Sequence, residues 1–293
     1  MISVILSGDD FGLAPAINEG IALAHARGCL TSASLSVAGP AAEDAASRAR
    51  GLPSLGVGLH LTLVAERPVS RAADVPTLVG RDGRFPPSAA AFASRWLSRR
   101  IRPEQVRREV RAQLEKAREL GLSLTHLDSH QHVHVLPGLI GIVLGEMGRS
   151  GLRRLRIPLE TARWPGAGWG RRAQRGVLNG LARRAARLAL RAGFAFPDRF
   201  LGFLGAGRVD ADGLLARIDA LEDGVTEIGL HPAAGAGLPR EDFASWGYRW
   251  SGELDALLDP RVREVLDRRG IRRVNYEACS AGEGAPGRRG ARA

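Results

Sequence analysis

This chain of 293 residues is short of lysine, aromatic side chains and cysteine, and each shortage excludes something. Its two cysteines, Cys29 and Cys279, cannot build a disulfide framework or a closed zinc knuckle, and they read as inert buried thiols. No apolar run reaches the roughly 18 residues that a membrane-spanning helix needs. The start, MISVILSGDD, lacks a basic segment and turns acidic at Asp9 and Asp10. It reads as a first strand rather than a signal peptide, so the expected compartment is the cytoplasm. What remains is an ordinary soluble balance, 44% hydrophobic and 25% charged, which excludes disorder and collagen. The length suits one large domain with a sizeable core.

Lys116 is the sole lysine among 42 basic residues, and the net charge is +11. That surplus invites a nucleic-acid reading until it is located. Residues 149–199 hold 13 arginines and two acids, Glu160 and Asp198, which is 13 − 2 = +11. The rest of the chain therefore sums to zero. No nucleic-acid motif accompanies the charge, and no nucleic-acid partner is expected.

Short apolar runs alternate with helical patterns. Strands are expected at Ile2–Ser7, 33–38, 55–63, 124–129, 152–158, 226–231 and 271–276. Helices are expected after Pro15, up to about Arg50, and over 103–120, 137–149, 212–222 and 260–269. Residues 64–101 read as a long loop, and 281–293 as a disordered tail. Alternating βα units imply a parallel sheet, and about seven of them suit a single TIM-like (β/α) barrel over residues 1–280. Its chemistry should then sit at the carboxyl ends of the strands.

The polar residues fall where that rule puts them. Asp9 and Asp10 follow the first strand, and His60 ends the third. The run from His126 to His134 ends the fourth, Arg156 closes the fifth, and His231 closes the strand that holds Glu227. Only His25 lies in a helix. Asp128 and His130 are two apart, so on a strand they share a face. Two histidines and a carboxylate leave coordination positions open, which is the pattern of a catalytic metal site. A metal there polarises a carbonyl and acidifies water, while a spare carboxylate and a spare histidine move protons. Each feature alone has a plainer reading: a turn and helix cap for Asp9-Asp10, a core histidine for His60, a polar ladder for the histidine run. Their joint occurrence at successive strand ends favours chemistry.

The motifs DDFG, GLHLTL, THLDSHQHVH and EIGLHP, in this order, resemble the YdjC/ChbG carbohydrate deacetylase family over roughly residues 2–279. The stretch from Thr31 to Leu63 is similar to the hopanoid-biosynthesis-associated branch. The resemblance implies a modified barrel of the polysaccharide deacetylase type. It implies one divalent ion, Mg or Zn, held by Asp10, His60 and His130. It also implies Asp9 as general base, His231 as general acid and Arg156 as an orienting or anion-stabilising group. Asp128, His132 and His134 are expected to bind substrate. The reaction implied is hydrolysis of an N-acetyl group on an amino sugar, in this branch an N-acetylglucosaminyl hopanoid, by a homodimer. Gly8 departs from the alanine usual before DDFG.

Residues 171–193 form an Arg-rich amphipathic helix within an insert at about 160–200. Val177, Leu178, Leu181 and Leu188 are expected on its inner side. Arg171, Arg172, Arg175, Arg183 and Arg187 are expected outside, with Trp164, Trp169, Phe194 and Phe196 flanking. Such a helix fits peripheral contact at the inner membrane face, or an ordinary solvated arginine face. Three rival readings stay open: a deacetylase of soluble chito-oligosaccharides, a basic binding protein without catalysis, and a silent metal scaffold.

Overall fold

The structure is a computed structural model, and it describes residues 1–160, 168–235 and 246–280. The expected tail at 281–293 and Trp164 lie outside the described residues. The first strand, β1 (Ile2–Phe11), is buried along almost its whole length. Its partners are parallel on both edges: β2 (Ser32–Leu35) on one side and β6 (Gly224–Leu230) on the other. β2 pairs with β3 (Gly56–Leu61), and β3 with β4 (Leu127–Ser129). On the far side β5 (Arg199–Leu201) pairs with β6. The short β7 (Arg272–Arg273) pairs with the start of β1 at Ser3 and Val4.

An extended segment at 153–159 closes the curve. The Leu127 amide donates to the Arg154 carbonyl at 3.0 Å, and the Leu155 amide to Ala195 at 3.0 Å. Farther along, the Phe200 amide donates to Leu159 at 3.4 Å. The expected strand at 152–158 is thus extended but joined by isolated bridges only. The architecture is an α/β barrel of the TIM-like type, with its core between sheet and helices.

The helices pack outside. They are α1 (Pro15–Ala26), α2 (Ala42–Arg50), α3 (Ala89–Leu97), α4 (Pro103–Glu119), α5 (Leu139–Ser150), α6 (Trp169–Arg191), α7 (Ala211–Asp219), α8 (Trp250–Leu258) and α9 (Pro260–Arg268). Pro15, Pro103 and Pro260 open three of them, where a missing N–H costs nothing and φ is already helical. α3 falls inside the segment read as loop. Its three opening alanines carry little periodic signal, but the Ser88 side chain accepts the Ala91 amide and caps it. β5 and α8 also escape the periodicity, because three residues and nine residues respectively are short windows.

α6 occupies the crossover between the 153–159 segment and β5, the place of a regular barrel helix. Its buried face is Leu178, Asn179, Ala182, Ala185, Ala186 and Ala189. Val177, expected inside, is 68% exposed. Small alanines let α6 lie close to the barrel, so they form the buried seam and Val177 is turned outward. Arg172, Arg183 and Arg187 are exposed as expected, whereas Arg175 is half-buried.

Candidate metal centre and active site

Strand register assembles the site. Gly8 of β1 pairs with Leu230 of β6, so Asp9 and Asp10 emerge beside His231. His60 pairs with Asp128 across β3 and β4. All of these lie at carboxyl ends of parallel strands, where a barrel carries its chemistry. Asp10 has φ +66°, a left-handed conformation that is uncommon outside glycine and that aspartate tolerates better than most side chains. The histidine run does not continue as a strand beyond Ser129. It turns sharply, with Gln131 at φ +53° and His132 at +57°. The Ser129 hydroxyl anchors that turn by accepting the His134 amide at 3.1 Å.

Three acceptor atoms converge in the mouth. His130 Nδ1 lies 3.2 Å from Asp10 Oδ1, and His60 Nε2 lies 3.5 Å from the same oxygen. The two ring nitrogens are 3.4 Å apart, and the three ligand atoms all fall within 4.8 Å of one another. His60 Nδ1 donates to Asp128 Oδ1 at 2.8 Å, which fixes the tautomer and aims the Nε2 lone pair at Asp10 and His130. Asp10 Oδ1 is buried and accepts no hydrogen bond. A buried, unpartnered carboxylate oxygen between two imidazoles asks for a cation.

The electrostatics agree. Burial opposes charge on His60, yet Asp128 and Asp10 push it up to about 10, so without a metal this imidazole keeps a proton. Burial also raises Asp10, but His130 and His60 more than offset it and hold the carboxyl well below the usual range. The residues therefore fit a divalent ion. Two histidines and one carboxylate leave positions for water and substrate. Zinc suits the imidazoles, and the set does not decide between zinc and magnesium.

A second group, Asp9, His60 and Asp128, also has metal-ligand spacing. Arginine already fills it. Arg156 Nη1 lies 2.6 Å from Asp9 Oδ2, and Nη2 lies 2.8 Å from Oδ1. Nη1 also presses against Asp128 Oδ2. Nε and Nη2 donate to Glu227 Oε1 at 3.0 and 2.6 Å, and Tyr276 donates to Glu227 Oε2 at 2.5 Å. Arg156 is wholly buried in this cage of three carboxylates. Its guanidinium is consumed inside the protein, so it orients Asp9 and is not free to face an oxyanion.

Asp128 and His134, expected to touch substrate, are also wholly buried. Asp128 supports His60 and meets Arg156. His134 Nε2 donates to the Arg156 carbonyl at 2.9 Å, and its Nδ1 accepts from Ser129 at 2.6 Å. Burial lowers His134 to about 4, so it stays neutral. Both are positioning groups. His132 is only partly buried and sits edge-on to Phe200, near Phe203.

His231 stands across the mouth. Its amide donates to Glu253 Oε2 at 2.5 Å, and its Nδ1 lies 3.4 Å from the same oxygen. Burial disfavours the imidazolium, but Glu253 and the two aspartates raise its pKa above the ordinary histidine value. An aromatic wall joins the two sides. Trp246 lies 5.2 Å from the His130 ring and 5.6 Å from Tyr248. Tyr248 in turn lies 4.7 Å from His231 and 5.1 Å from Trp250.

Sequence reasoning missed Glu227, Glu253, Tyr276 and the wall. A glutamate inside the apolar strand GVTEIGL was the one available signal.

Residues 3–268 match the model of the YdjC-like protein family. The chain belongs to the YdjC-like family. It is 34% identical over 273 residues to a carbohydrate deacetylase of Geobacillus stearothermophilus, spanning 93% of this chain and 96% of that one. It is also 34% identical over 311 residues to a carbohydrate deacetylase of Mus musculus, spanning 97% and 98%. Among solved structures, a cellobiose-phosphate cleavage protein of Enterococcus faecalis superposes with TM-score 0.75 at 27% identity, covering 94% of this YdjC-like chain and 98% of its own.

Proposed function

We propose that this YdjC-like chain is a metal-dependent carbohydrate N-deacetylase that hydrolyses an acetamide on an amino sugar and releases acetate. The observation that carries the reading is the Asp10–His60–His130 cluster, buttressed by Asp128, between Asp9 and His231. A divalent ion held there would polarise the amide carbonyl and acidify a water. Asp9, gripped by Arg156, takes the proton of the attacking water. His231, whose pKa Glu253 raises against the effect of burial, delivers a proton to the departing amine. The Trp246–Tyr248 wall offers an aromatic face to a sugar ring. Full-length relatives named as carbohydrate deacetylases support the same reading.

Within this class we favour an N-acetylglucosaminyl lipid of the hopanoid kind, on the resemblance of residues 31–63. Soluble chito-oligosaccharides are the alternative. The test strips metal with a chelator, returns zinc or magnesium, and follows acetate release from both substrates. Activity should vanish on chelation and return with one metal. It should fall at least about 1,000-fold in His60→Ala and His130→Ala, given how much a metal site contributes. Full acetate release by the chelated protein would overturn the metal reading. Faster turnover of the soluble oligosaccharide would overturn the lipid.

A further inference from the structure

The chemistry of the barrel mouth leaves α6 unexplained. This helix carries seven arginines and no acid. At about 100° per residue, Arg172, Arg183, Arg187, Arg191 and Arg184 share one outward arc. All five are exposed. The same arc holds two apolar residues that a purely solvated face would not need: Trp169, 86% exposed, and Val177, 68% exposed. On the flank next to Val177, α6 meets α5 at an open groove of about 570 Å³. Leu144, Leu188, Ala192 and Phe194 line it, with Arg149 and Arg153 in its wall.

We propose that the outer face of α6 docks on an anionic lipid bilayer. The segment's +11 charge calls for an anionic partner, and the rest of the chain is neutral. A nucleic acid would use the arginines but give exposed Trp169, Val177 and an apolar groove nothing to enter. A bilayer uses both: headgroup phosphates meet the guanidinium groups while indole and aliphatic side chains enter the interface. The helix also begins at the mouth. Arg171 lies over the Phe203 ring at 4.1 Å and donates to the Phe203 carbonyl at 2.9 Å, and Phe203 neighbours His132. Docking along α6 therefore brings the rim of the barrel mouth near the bilayer surface.

The test is co-sedimentation of the full chain with vesicles of phosphatidylglycerol and phosphatidylcholine, against phosphatidylcholine alone. The expected result is at least about tenfold stronger binding to the anionic vesicles, lost progressively as salt rises. Arg183→Glu with Arg187→Glu should weaken binding at least about tenfold, while acetate release from a water-soluble substrate is unchanged. Anionic vesicles should blue-shift tryptophan emission in the native chain and much less in Trp169→Phe. Should the double charge reversal fail to fold, the native chain's salt series and Trp169→Phe decide alone. Equal binding to both vesicle types overturns the proposal. So does binding indifferent to salt, an unchanged shift in Trp169→Phe, or retention on a DNA duplex without retention on vesicles.

Discussion

Two acidic clusters share the barrel mouth, and they are completed in opposite ways. In one, Asp9, Asp128 and Glu227 surround Arg156, and a permanent cation of the chain itself fills the cage. In the other, Asp10 meets two imidazole nitrogens, and its Oδ1 accepts no hydrogen bond. Asp9 and Asp128 have ligand-like spacing together with His60, as Asp10 has with His60 and His130, so spacing alone does not separate them. Satisfaction does. A carboxylate already held by a permanent cation has no need of a metal. One with a buried oxygen left without a hydrogen bond between two imidazoles does. Asp128 bridges the pair, with one oxygen on His60 and the other against Arg156. The cage therefore holds the Asp10–His60–His130 cluster in position.

The largest effect should come from emptying the cage. Arg156→Met leaves three buried carboxylates facing one another without their counter-ion. Removing one partner of a buried ion pair costs about 3–5 kcal/mol, and urea denaturation should read a loss of at least that size. Adding Glu227→Gln should recover part of it, because one repelling charge is gone. A loss under about 1 kcal/mol would mean that the carboxylates relax freely, and the contrast between the clusters would fail.

A smaller effect belongs to the bridge. Asp128→Asn keeps the shape but removes the charge that fixes the His60 tautomer. Loss of such an outer partner typically costs about 10–100-fold in metal affinity. Calorimetric titration with zinc should show it, with the aromatic wall undisturbed. Unchanged affinity would mean that the two clusters are independent neighbours.

How much of this was legible follows from distance along the chain. The histidine run, Asp9-Asp10 and His231 stand out because strand ends are recognisable and barrel chemistry gathers there. The cage was not legible. Its members lie at 9, 128, 156 and 227, and only the closing of the sheet reveals that one arginine serves three acids. The same blindness made Arg156 look available for an oxyanion, and Asp128 and His134 look like substrate contacts. On α6 the failure is of another kind. Alanine carries a weak hydrophobic signal, so the seam of Ala182, Ala185, Ala186 and Ala189 went unread and Val177 was placed inside. Elements as short as β5 offer too few residues for periodicity to register.

The finest test concerns the second carboxylate partnership in the mouth. Glu253 stands to His231 as Asp128 stands to His60, a buried carboxylate beside the ring, and here its effect is to raise the imidazole pKa. Burial alone would lower the His231 pKa; Glu253 leads the groups that reverse this. In the proposed mechanism the imidazolium is the working form, so activity should be present below the raised pKa and lost as pH climbs through it. Glu253→Gln removes the charge and keeps an acceptor oxygen for one of the two amides, of Val209 and His231, that the carboxylate serves. The alkaline limb of the kcat profile should therefore move to lower pH, while zinc affinity stays as in the native chain. A limb that does not move would show that His231 carries no catalytic proton. A fall in zinc affinity would show that Glu253 acts on the metal cluster as well.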